Sequence, residues 1–282
     1  MPKGTRKIGF SFDETHITHF GGMWLIQRFC NQLRLRWLIQ KYVRIPDRGA
    51  LYYPAEMVMA LMFAIIMGLR RINKTEILQY NGAFLEMLGL TRFPDQSTLR
   101  RFLKRLPVKF IRQLARLHDS LRAHLFPFPH TRSTLIFDLD SVVIVVYGRA
   151  EGARIGYNPK KRGRRSYHPL LCFEAHFQEF WHGSLRPGNT VTSTGAVAFL
   201  KICLAKVPQE IARSRIRFRM DSGFYRSRVV RFLDDSGCGY VMVAKEFPHL
   251  KKRARGCKFQ RLQNGWQVGE FREKVYHKWS KL

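Results

Sequence analysis

The sequence predicts a chain in two parts, an all-helical region followed by a domain in which strands and helices mix. Up to about residue 130, apolar side chains recur at the three- and four-residue spacing of helices. From Leu135 onward, short runs of β-branched and aromatic residues alternate with turn residues and helical stretches. The residues between the two parts are typical of a linker, and they are Pro127, Pro129, Thr131 and Ser133. The expected fold class is α+β or α/β, with an N-terminal all-α region.

Local signals indicate five helices in the first part. Pro54 suits the first turn of the second helix. Ser97 is a plausible N-cap for the fourth helix, which Pro107 ends. The predicted helices cover residues 23–43, 54–71, 75–88, 97–106 and 108–126.

The third and fourth of these helices could form a helix-turn-helix. The fourth carries polar and basic residues that suit phosphates and base edges, namely Thr98, Arg100, Arg101, Lys104 and Arg105. Alternatively, these charges are only the solvated face of a helix in a bundle. The sequence leaves both interpretations open.

Two carboxylates lie inside one apolar strand pattern, which covers residues 135–147. Asp138 and Asp140 are two residues apart, so they project from the same face of the strand. A carboxylate in such a strand is costly unless it finds a cation or several hydrogen-bond donors. The pair therefore belongs to a functional site or is neutralised by a nearby arginine, and the strand alone favours neither interpretation.

The composition indicates an anionic partner. Among 282 residues, Lys and Arg number 50 and Asp and Glu number 20, which gives a formal charge of +30. A polyphosphate backbone is the obvious counterpart of this excess. An RNA-associated protein would show a similar bias, so the charge indicates nucleic acid without distinguishing its kind.

Other features argue against a membrane, secreted or zinc-binding protein. The longest apolar run, residues 57–69, is too short to cross a bilayer. The N-terminus lacks the apolar segment of a signal peptide. The five cysteines are widely spaced and form no Cys-x-x-Cys, which favours a reducing cytoplasm over a disulfide framework or a zinc ribbon.

A basic segment follows the aspartate strand, and its Gly, Pro and Ser residues predict a loop over residues 152–169. Cations fill five of six consecutive positions, as Lys160, Lys161, Arg162, Arg164 and Arg165. Such a loop can wrap phosphates, and Tyr157 and Tyr167 could stack on unpaired bases. A localisation signal or a merely solubilising run is the alternative, but the net charge favours DNA contact.

The order of elements from residue 134 is three strands, helix, strand, helix, strand, which is the order of a ribonuclease H-like mixed sheet. The predicted fourth strand, 216–220, delivers Asp221. The first and fourth strands are neighbours in this fold, so Asp140 and Asp221 can reach one metal pair. Asp221 can also cap the helix that follows it. The other predicted elements are strands at 170–177, 180–185 and 239–244 and helices at 194–207 and 223–235.

Seven ordered motifs run through both parts of the chain. They are Gln96-Ser-Thr-Leu-Arg-Arg-Phe102, Asp138-Leu-Asp-Ser141, Gly156-Tyr-Asn-Pro-Lys-Lys-Arg-Gly163, Ser166-Tyr-His-Pro-Leu170, Leu185-Arg-Pro-Gly-Asn189, Asp221-Ser-Gly-Phe-Tyr225 and Gly239-Tyr-Val241. This pattern resembles bacterial insertion-sequence transposases of the DDE class, the group-one transposase DDE domain.

The resemblance implies metal-dependent cleavage and joining of double-stranded DNA at the terminal inverted repeats of an element. It implies Mg²⁺, for which Mn²⁺ can substitute, and a cytoplasmic homo-oligomer on DNA. By position, Asp140 is the first metal-binding acid and Asp221 the second, with Asp138 a second choice for the first. The implied domains are a helical DNA-binding and multimerisation region (1–130), the first part of a ribonuclease H-like catalytic core (131–250) and the start of a β-rich insertion (251–282).

The third acid of the family is a glutamate in a Tyr…Arg…Glu helix, and this chain has no counterpart for it. The acids that remain are Glu246, Glu270 and Glu273, and none follows that motif. We therefore expect a chain that is cut short inside the β-rich insertion. The expected function is a transposase with doubtful cleavage activity, or alternatively a DNA-binding remnant or inhibitor of the full-length transposase.

Overall fold

The computed structural model divides into two compact units, Met1–Phe126 and Pro127–Leu282. The residues it describes are 18–46, 51–87, 90, 92–127, 133–158, 161–245, 247–275 and 278–281. Pro129 and Thr131 of the predicted linker lie outside them.

The first unit is helical, as the residue spacing predicts. A 3₁₀ helix covers Ile72–Leu78. The α-helices are α1 (Met23–Gln32), α2 (Leu35–Tyr42), α3 (Pro54–Ile66), α4 (Gly82–Met87), α5 (Gln96–Arg105) and α6 (Lys109–Leu125).

Two of the predicted helices are not continuous. The helix predicted over residues 23–43 is interrupted because Arg34 adopts a left-handed conformation, with φ of 50°, between α1 and α2. The helix predicted over residues 75–88 is instead the end of the 3₁₀ helix followed by the short α4. No glycine stands at the first break, and a residue such as arginine rarely adopts positive φ, so the sequence carries no local signal for it.

Asp95, and not Ser97, is the N-cap of α5. The Asp95 carboxylate accepts hydrogen bonds from the Ser97 hydroxyl at 2.7 Å, the Thr98 backbone N–H at 2.8 Å and the Thr98 hydroxyl at 2.9 Å. These bonds stabilise the charged carboxylate, and they hold the pKa of Asp95 far below its ordinary value. The prediction of Ser97 as the cap is wrong because the helix begins at Gln96, which makes the preceding residue, Asp95, its cap.

The helical unit has its own hydrophobic core. Phe63, Leu78, Phe84, Phe93 and Leu99 are all at most 2% exposed and belong to one cluster. These residues come from α3, the 3₁₀ helix, α4, the segment before α5, and α5. Burial of this cluster is what holds the short helices in place.

The second unit contains strands and helices in alternation. Its helices are α7 (Ala196–Ala205), α8 (Ser227–Ser236) and α9 (Pro248–Arg255). Its strands are β1 (Leu135–Ser141), β2 (Ile144–Val145), β3 (Arg154–Ile155), β4 (Arg165–Tyr167), β5 (Leu170–Glu174), β6 (Glu179–Ser184), β7 (Ile216–Met220), β8 (Gly239–Met242), β9 (Gln260–Arg261), β10 (Gln267–Val268), β11 (Arg272–Val275) and β12 (Lys278–Lys281).

Five of these strands form a mixed sheet in the order β6-β5-β1-β7-β8. The central strand β1 pairs antiparallel with β5 and parallel with β7. At the two edges, β5 pairs antiparallel with β6, and β7 pairs parallel with β8. The prediction of a mixed sheet whose first and fourth strands are neighbours is therefore confirmed.

Helices cover one face of this sheet. Leu135, Phe137 and Leu139 alternate along β1 and are at most 3% exposed. They belong to one cluster with Phe199 of α7 and Leu233 of α8. The intervening residues of β1, which include both aspartates, project from the opposite face.

The aspartate strand is shorter than the predicted range of 135–147. β1 ends at Ser141, and β2 pairs instead with β4 in a second, three-stranded sheet of order β2-β4-β3. The same sheet places two short strands inside the predicted loop over residues 152–169. Both predictions are wrong in extent because strands of two or three residues depend on distant partners more than on local pattern.

A close approach of two backbones explains glycines in two of the sequence motifs. A Cβ atom on Gly156 would lie 1.9 Å from the Gly188 carbonyl oxygen. A Cβ atom on Gly188 would lie 2.2 Å from Ser166 Oγ. A side chain at either position would force the segment after β6 away from β3 and β4.

The chain continues after β8 with α9 and two short antiparallel pairs, β9 with β10 and β11 with β12. These pairs lie in the residues that the sequence predicts as the start of a β-rich insertion. Among the residues that the structure describes, none of the helices has the length and apolar character needed to span a membrane.

Candidate active site

Asp140 and Asp221 lie at the carboxyl ends of two neighbouring parallel strands. Leu139 of β1 pairs with Met220 of β7, so the next residue of each strand, Asp140 and Asp221, continues this register. Neighbouring strands are about 5 Å apart. Because Leu139 and Met220 face the buried core, the two aspartates project from the opposite face of the sheet.

Each of these carboxylates is oriented by one backbone N–H. Asp140 Oδ1 accepts from the Ser141 N–H at 2.6 Å, and Asp221 Oδ1 accepts from the Gly223 N–H at 3.0 Å. Asp221 is thereby the N-cap of a short 3₁₀ turn, Ser222–Phe224, and not of the following helix as predicted, because α8 begins only at Ser227. In the described part of the chain, neither carboxylate forms an ion pair, so both keep oxygens that can bind a cation.

Asp138 is in a different situation, because its carboxylate is occupied by an arginine. Arg219 lies opposite it on β7 and donates from Nε to Oδ1 at 2.5 Å and from Nη2 to Oδ2 at 2.6 Å. This pairing raises the pKa of Arg219. Asp138 is thus neutralised by a fork of two hydrogen bonds, and of the two β1 aspartates Asp140 is the one available to a metal.

A chain of hydrogen bonds runs beside Asp140. His168 Nδ1 is 2.6 Å from the Thr190 carbonyl oxygen, which can only accept, so Nδ1 carries the hydrogen. In the neutral ring, Nε2 then accepts from the Ser141 hydroxyl at 3.0 Å. The Ser141 Oγ in turn accepts from the Thr192 hydroxyl at 3.1 Å.

Thr192, at the end of these hydrogen bonds, lies against the turn of the second aspartate through its methyl group. A Cβ atom on Gly223 would lie 2.9 Å from Thr192 Cγ2 and 3.1 Å from Asp221 Oδ1, so Thr192 packs against the turn that carries Asp221. The path from His168 through Ser141 and Thr192 therefore connects the residue next to Asp140 with the turn after β7.

A buried arginine holds the segment that carries Thr190 and Thr192. Arg186 is 9% exposed and donates to the carbonyl oxygens of His168 at 2.9 Å, Thr192 at 3.0 Å and Thr194 at 2.8 Å. Burial lowers the pKa of Arg186, although a guanidinium stays charged at any physiological pH. These bonds fix the segment against β4 and β5.

The basic loop is arranged around an exposed tyrosine. Lys161 Nζ donates to the Tyr147 hydroxyl at 2.7 Å, and this bond lowers the pKa of Tyr147. The Arg164 guanidinium lies 5.9 Å from the centre of the same ring. Tyr147 thus holds two cations of the loop close together on the surface.

The other predicted residues of this loop divide into three groups. Tyr157 and Arg162 are exposed and available to a partner. Arg165 donates to the Ala153 carbonyl oxygen at 3.2 Å, and the Tyr167 hydroxyl donates to the carbonyl oxygen of Glu151. Lys160 lies outside the described residues.

Residues 1–280 match the family described as Transposase DDE domain group 1. The chain belongs to this family. The resemblance to the group-one transposase DDE domain is thereby confirmed, and no curated protein matches the sequence.

Three solved transposase structures are similar to this chain. The piggyBac transposase synaptic complex with hairpin DNA has 13% identity and a TM-score of 0.42, with 84% of this chain and 55% of that chain covered. The Mos1 transposase paired-end complex has 13% identity and a TM-score of 0.29, with coverages of 83% and 81%. The Drosophila P element transposase strand transfer complex has 13% identity and a TM-score of 0.36, with coverages of 84% and 53%. The chain thus spans little more than half the length of the piggyBac and P element chains.

The helix predicted to contact DNA lies in the helical unit of this transposase-family chain. Arg100, Arg101 and Lys104 are all exposed on α5. Arg101 also donates to the Thr98 hydroxyl at 3.0 Å. The exposed basic face is compatible with both interpretations of this helix.

The two aspartates fit a divalent ion with few protein ligands. Carboxylate oxygens suit Mg²⁺, which keeps several waters and needs only one or two carboxylates together with substrate phosphates. Within the described residues, no group of three or more His, Cys, Asp or Glu side chains could hold an ion. Glu270 is exposed, Glu246 lies outside the described residues, and so does the side chain of Glu273.

Several residues of this site have no predicted role in the sequence. Ser141 and His168 stand inside quoted motifs, and this was the only signal that pointed to them. Thr192 and Arg219 stand outside every motif. Tyr147 stands at the end of the predicted aspartate strand. Their roles depend on contacts between distant segments, which local pattern does not contain.

Proposed function

We propose that this chain is a DNA transposase that binds the double-stranded ends of its element and cleaves them at a site formed by Asp140 and Asp221. The observation that carries the proposal is the register of β1 and β7, which brings the two carboxylates side by side. Membership in the transposase DDE family supports the reaction class.

Asp140 and Asp221 would hold a divalent ion, Mg²⁺ or Mn²⁺, which polarises a scissile phosphate and lowers the pKa of bound water. The Ser141 and Gly223 N–H groups fix one oxygen of each carboxylate. The other oxygen of each is left for the ion. The hydrogen bonds from His168 through Ser141 to Thr192, together with the packing of Thr192 against Gly223, would help to hold the ends of β1 and β7 at the separation that phosphoryl transfer requires.

The basic loop would bind the DNA backbone near this site. Lys161 and Arg164, held together at Tyr147, offer two cations to neighbouring phosphates, and the exposed Tyr157 offers a ring on which an unpaired base can stack. We assign a second backbone contact to α5, through Arg100, Arg101 and Lys104.

Substitution of the second aspartate tests the proposal. With a duplex that carries an end of the element and with Mg²⁺, we expect the wild-type chain to nick the DNA. Asp221→Asn should lower the nicking rate by about a thousandfold or more, because the lost charge weakens metal binding, while duplex affinity stays within about twofold. Asp235→Asn, which removes the same charge from an exposed residue of α8, is the matched control. Unchanged nicking by Asp221→Asn would refute the assignment.

A second candidate function is a DNA-binding protein without cleavage, which acts as an inhibitor of a complete transposase. The lack of a three-acid group among the described residues favours it. This candidate predicts that the wild-type chain binds the end duplex and competes for it, but does not nick it with either Mg²⁺ or Mn²⁺.

Two further parts of the proposal concern assembly and location. A homo-oligomer on paired ends would give a particle that contains two or more chains per two duplexes, which light scattering measures.

Free thiols at all five cysteines, four of them buried, support a reducing cytoplasm.

A further inference from the structure

The helical unit contains a cavity of about 720 Å³ beside α5. Ile45, Met57 and Phe102 contribute apolar walls, and the cavity also reaches the start of α6. Its volume lies within the range of about 300–1,000 Å³ that is typical of sites for small molecules or single nucleotides. The helix-turn-helix interpretation of the sequence gives this space no role.

Cations surround the cavity. Arg92, Arg101, Arg105 and Lys109 line it, and in the described part of the chain none of them forms an ion pair. Asp95 is the one acid among the described residues of the lining, and it already accepts three hydrogen bonds as the cap of α5. Four cations with one occupied carboxylate suit an anionic ligand. The apolar walls suit a ligand that also has a flat or apolar body.

A buried hydroxyl in the cavity wall is also without a partner. Tyr52 lines the cavity, and its hydroxyl is buried with no hydrogen-bond partner among the described residues. Burial raises the pKa of Tyr52, so the phenol remains a neutral donor. An unsatisfied buried hydroxyl is costly, and a small shift of the Tyr52 ring towards the cavity would let an acceptor atom of a ligand remove that cost.

The cavity lies beside the row of α5 residues for which we propose DNA contact, which indicates bound DNA as the source of the ligand. Arg101 and Arg105 are one helical turn apart and line the cavity, whereas Arg100 and Lys104 form the neighbouring row and do not. Arg100 and Lys104 are exposed and belong to the surface for which we propose DNA contact. A DNA backbone on that row would pass the mouth of the cavity.

We propose that this cavity takes one unpaired nucleotide of the bound DNA, with its phosphate at the cations and its base against Phe102. The inference rests on the proposed DNA-binding function and adds a preference for DNA that contains an unpaired nucleotide. A base that is already unpaired enters such a site without the cost of leaving the duplex.

A comparison of two duplexes tests this inference with the full chain. One duplex carries a single bulged nucleotide, and the other has the same sequence fully paired. We expect the wild-type chain to bind the bulged duplex about tenfold more tightly, as stacking of one base on an aromatic ring would give. The double variant Arg101→Gln/Arg105→Gln should lose this preference, and Tyr52→Phe should reduce it about threefold.

The matched control is Arg100→Gln/Lys104→Gln, which makes the same charge change on the same helix. It should weaken binding of both duplexes equally and keep the preference. Equal binding of the two duplexes by the wild-type chain, or an unchanged preference in the Arg101/Arg105 variant, would overturn the nucleotide site alone. Failure of the wild-type chain to bind either duplex would instead overturn the proposed function as well.

Discussion

On one face of the central sheet, Phe137, Trp181 and Phe218 are completely buried, and the Phe137 ring lies 4.7 Å and 5.4 Å from the other two. On the opposite face, Phe173 and Phe180 are 36% and 40% exposed. Phe180 and Trp181 are consecutive on β6 and lie on opposite faces, because successive side chains of a strand alternate between the faces. The helices α7 and α8 cover the first face, and charged side chains share the second.

The two faces of the sheet have different roles, because one contributes to the stability of the unit and the other carries the residues of the candidate active site. The covered face supplies the buried apolar area that stabilises the unit. On the open face, a carboxylate remains hydrated, so the chain can place Asp138 and Asp140 in a strand without a large desolvation cost. Asp138, Leu139 and Asp140 are consecutive and test this comparison within one strand.

The largest effect should come from Asp140→Asn on the open face. Loss of the charge should lower metal-dependent nicking of an end duplex by more than about a thousandfold, which gel electrophoresis of the products measures. The free energy of unfolding should change by less than about 0.5 kcal/mol, because no described residue forms an ion pair with this carboxylate.

Asp138→Asn is the control for this experiment. It removes the same charge two residues away, but from a carboxylate that Arg219 already neutralises. We expect it to lower nicking by less than about tenfold. A greater loss with Asp138→Asn than with Asp140→Asn would move the first metal-binding acid to Asp138.

On the covered face, Leu139→Ala should cost about 3 kcal/mol of the free energy of unfolding, because truncation leaves a cavity in the core. Urea denaturation measures the cost. Val241→Ala is the matched control on β8, where the side chain is 70% exposed, and should cost less than about 1 kcal/mol. Similar costs for the two variants would mean that both faces are covered in solution.

A smaller effect on activity should come from His168, which we expect to act as a positioning residue. His168→Ala should lower the nicking rate about tenfold with little change in DNA affinity, because it breaks the link between Ser141 and Thr190. His168→Gln places an amide where Nε2 contacts Ser141 and should recover most of the rate. His168→Asn keeps only the donor to the Thr190 carbonyl and should recover less. Equal rates for these two variants would contradict a role for the Ser141 contact.

The sequence predicted the elements of this site better than the contacts among them. The strand at residues 216–220 and its delivery of Asp221 are predictable because apolar residues alternate with arginines in a short run that ends at a carboxylate. The neighbour relation of the first and fourth strands followed from element order and a known fold. Local pattern and element order were sufficient for these features.

Contacts between distant segments were not predictable in the same way. The partner of Asp138 is 81 residues away on another strand. The sequence alone does not decide whether Asp138 pairs with an arginine or with which one. The split of the aspartate strand after Ser141 depends on the pairing of β2 with β4. In each case, a tertiary contact overrides a local preference.

The smallest effect should come from Arg219→Gln, which leaves Asp138 without its partner. The side chains of this pair are 54% and 42% exposed, so solvent screens the interaction, and the loss of stability should be at most about 0.5 kcal/mol. The pairing raises the pKa of Arg219, so its contribution is fully present below the ordinary pKa of arginine and is lost only as the pH rises through the raised value. The difference in the free energy of unfolding between wild type and variant should therefore not change with Arg219 titration near neutral pH. Salt at about 1 M should abolish this difference. A loss above about 2 kcal/mol that persists in salt would show that this pair is desolvated, and the open face would then have to be covered in solution.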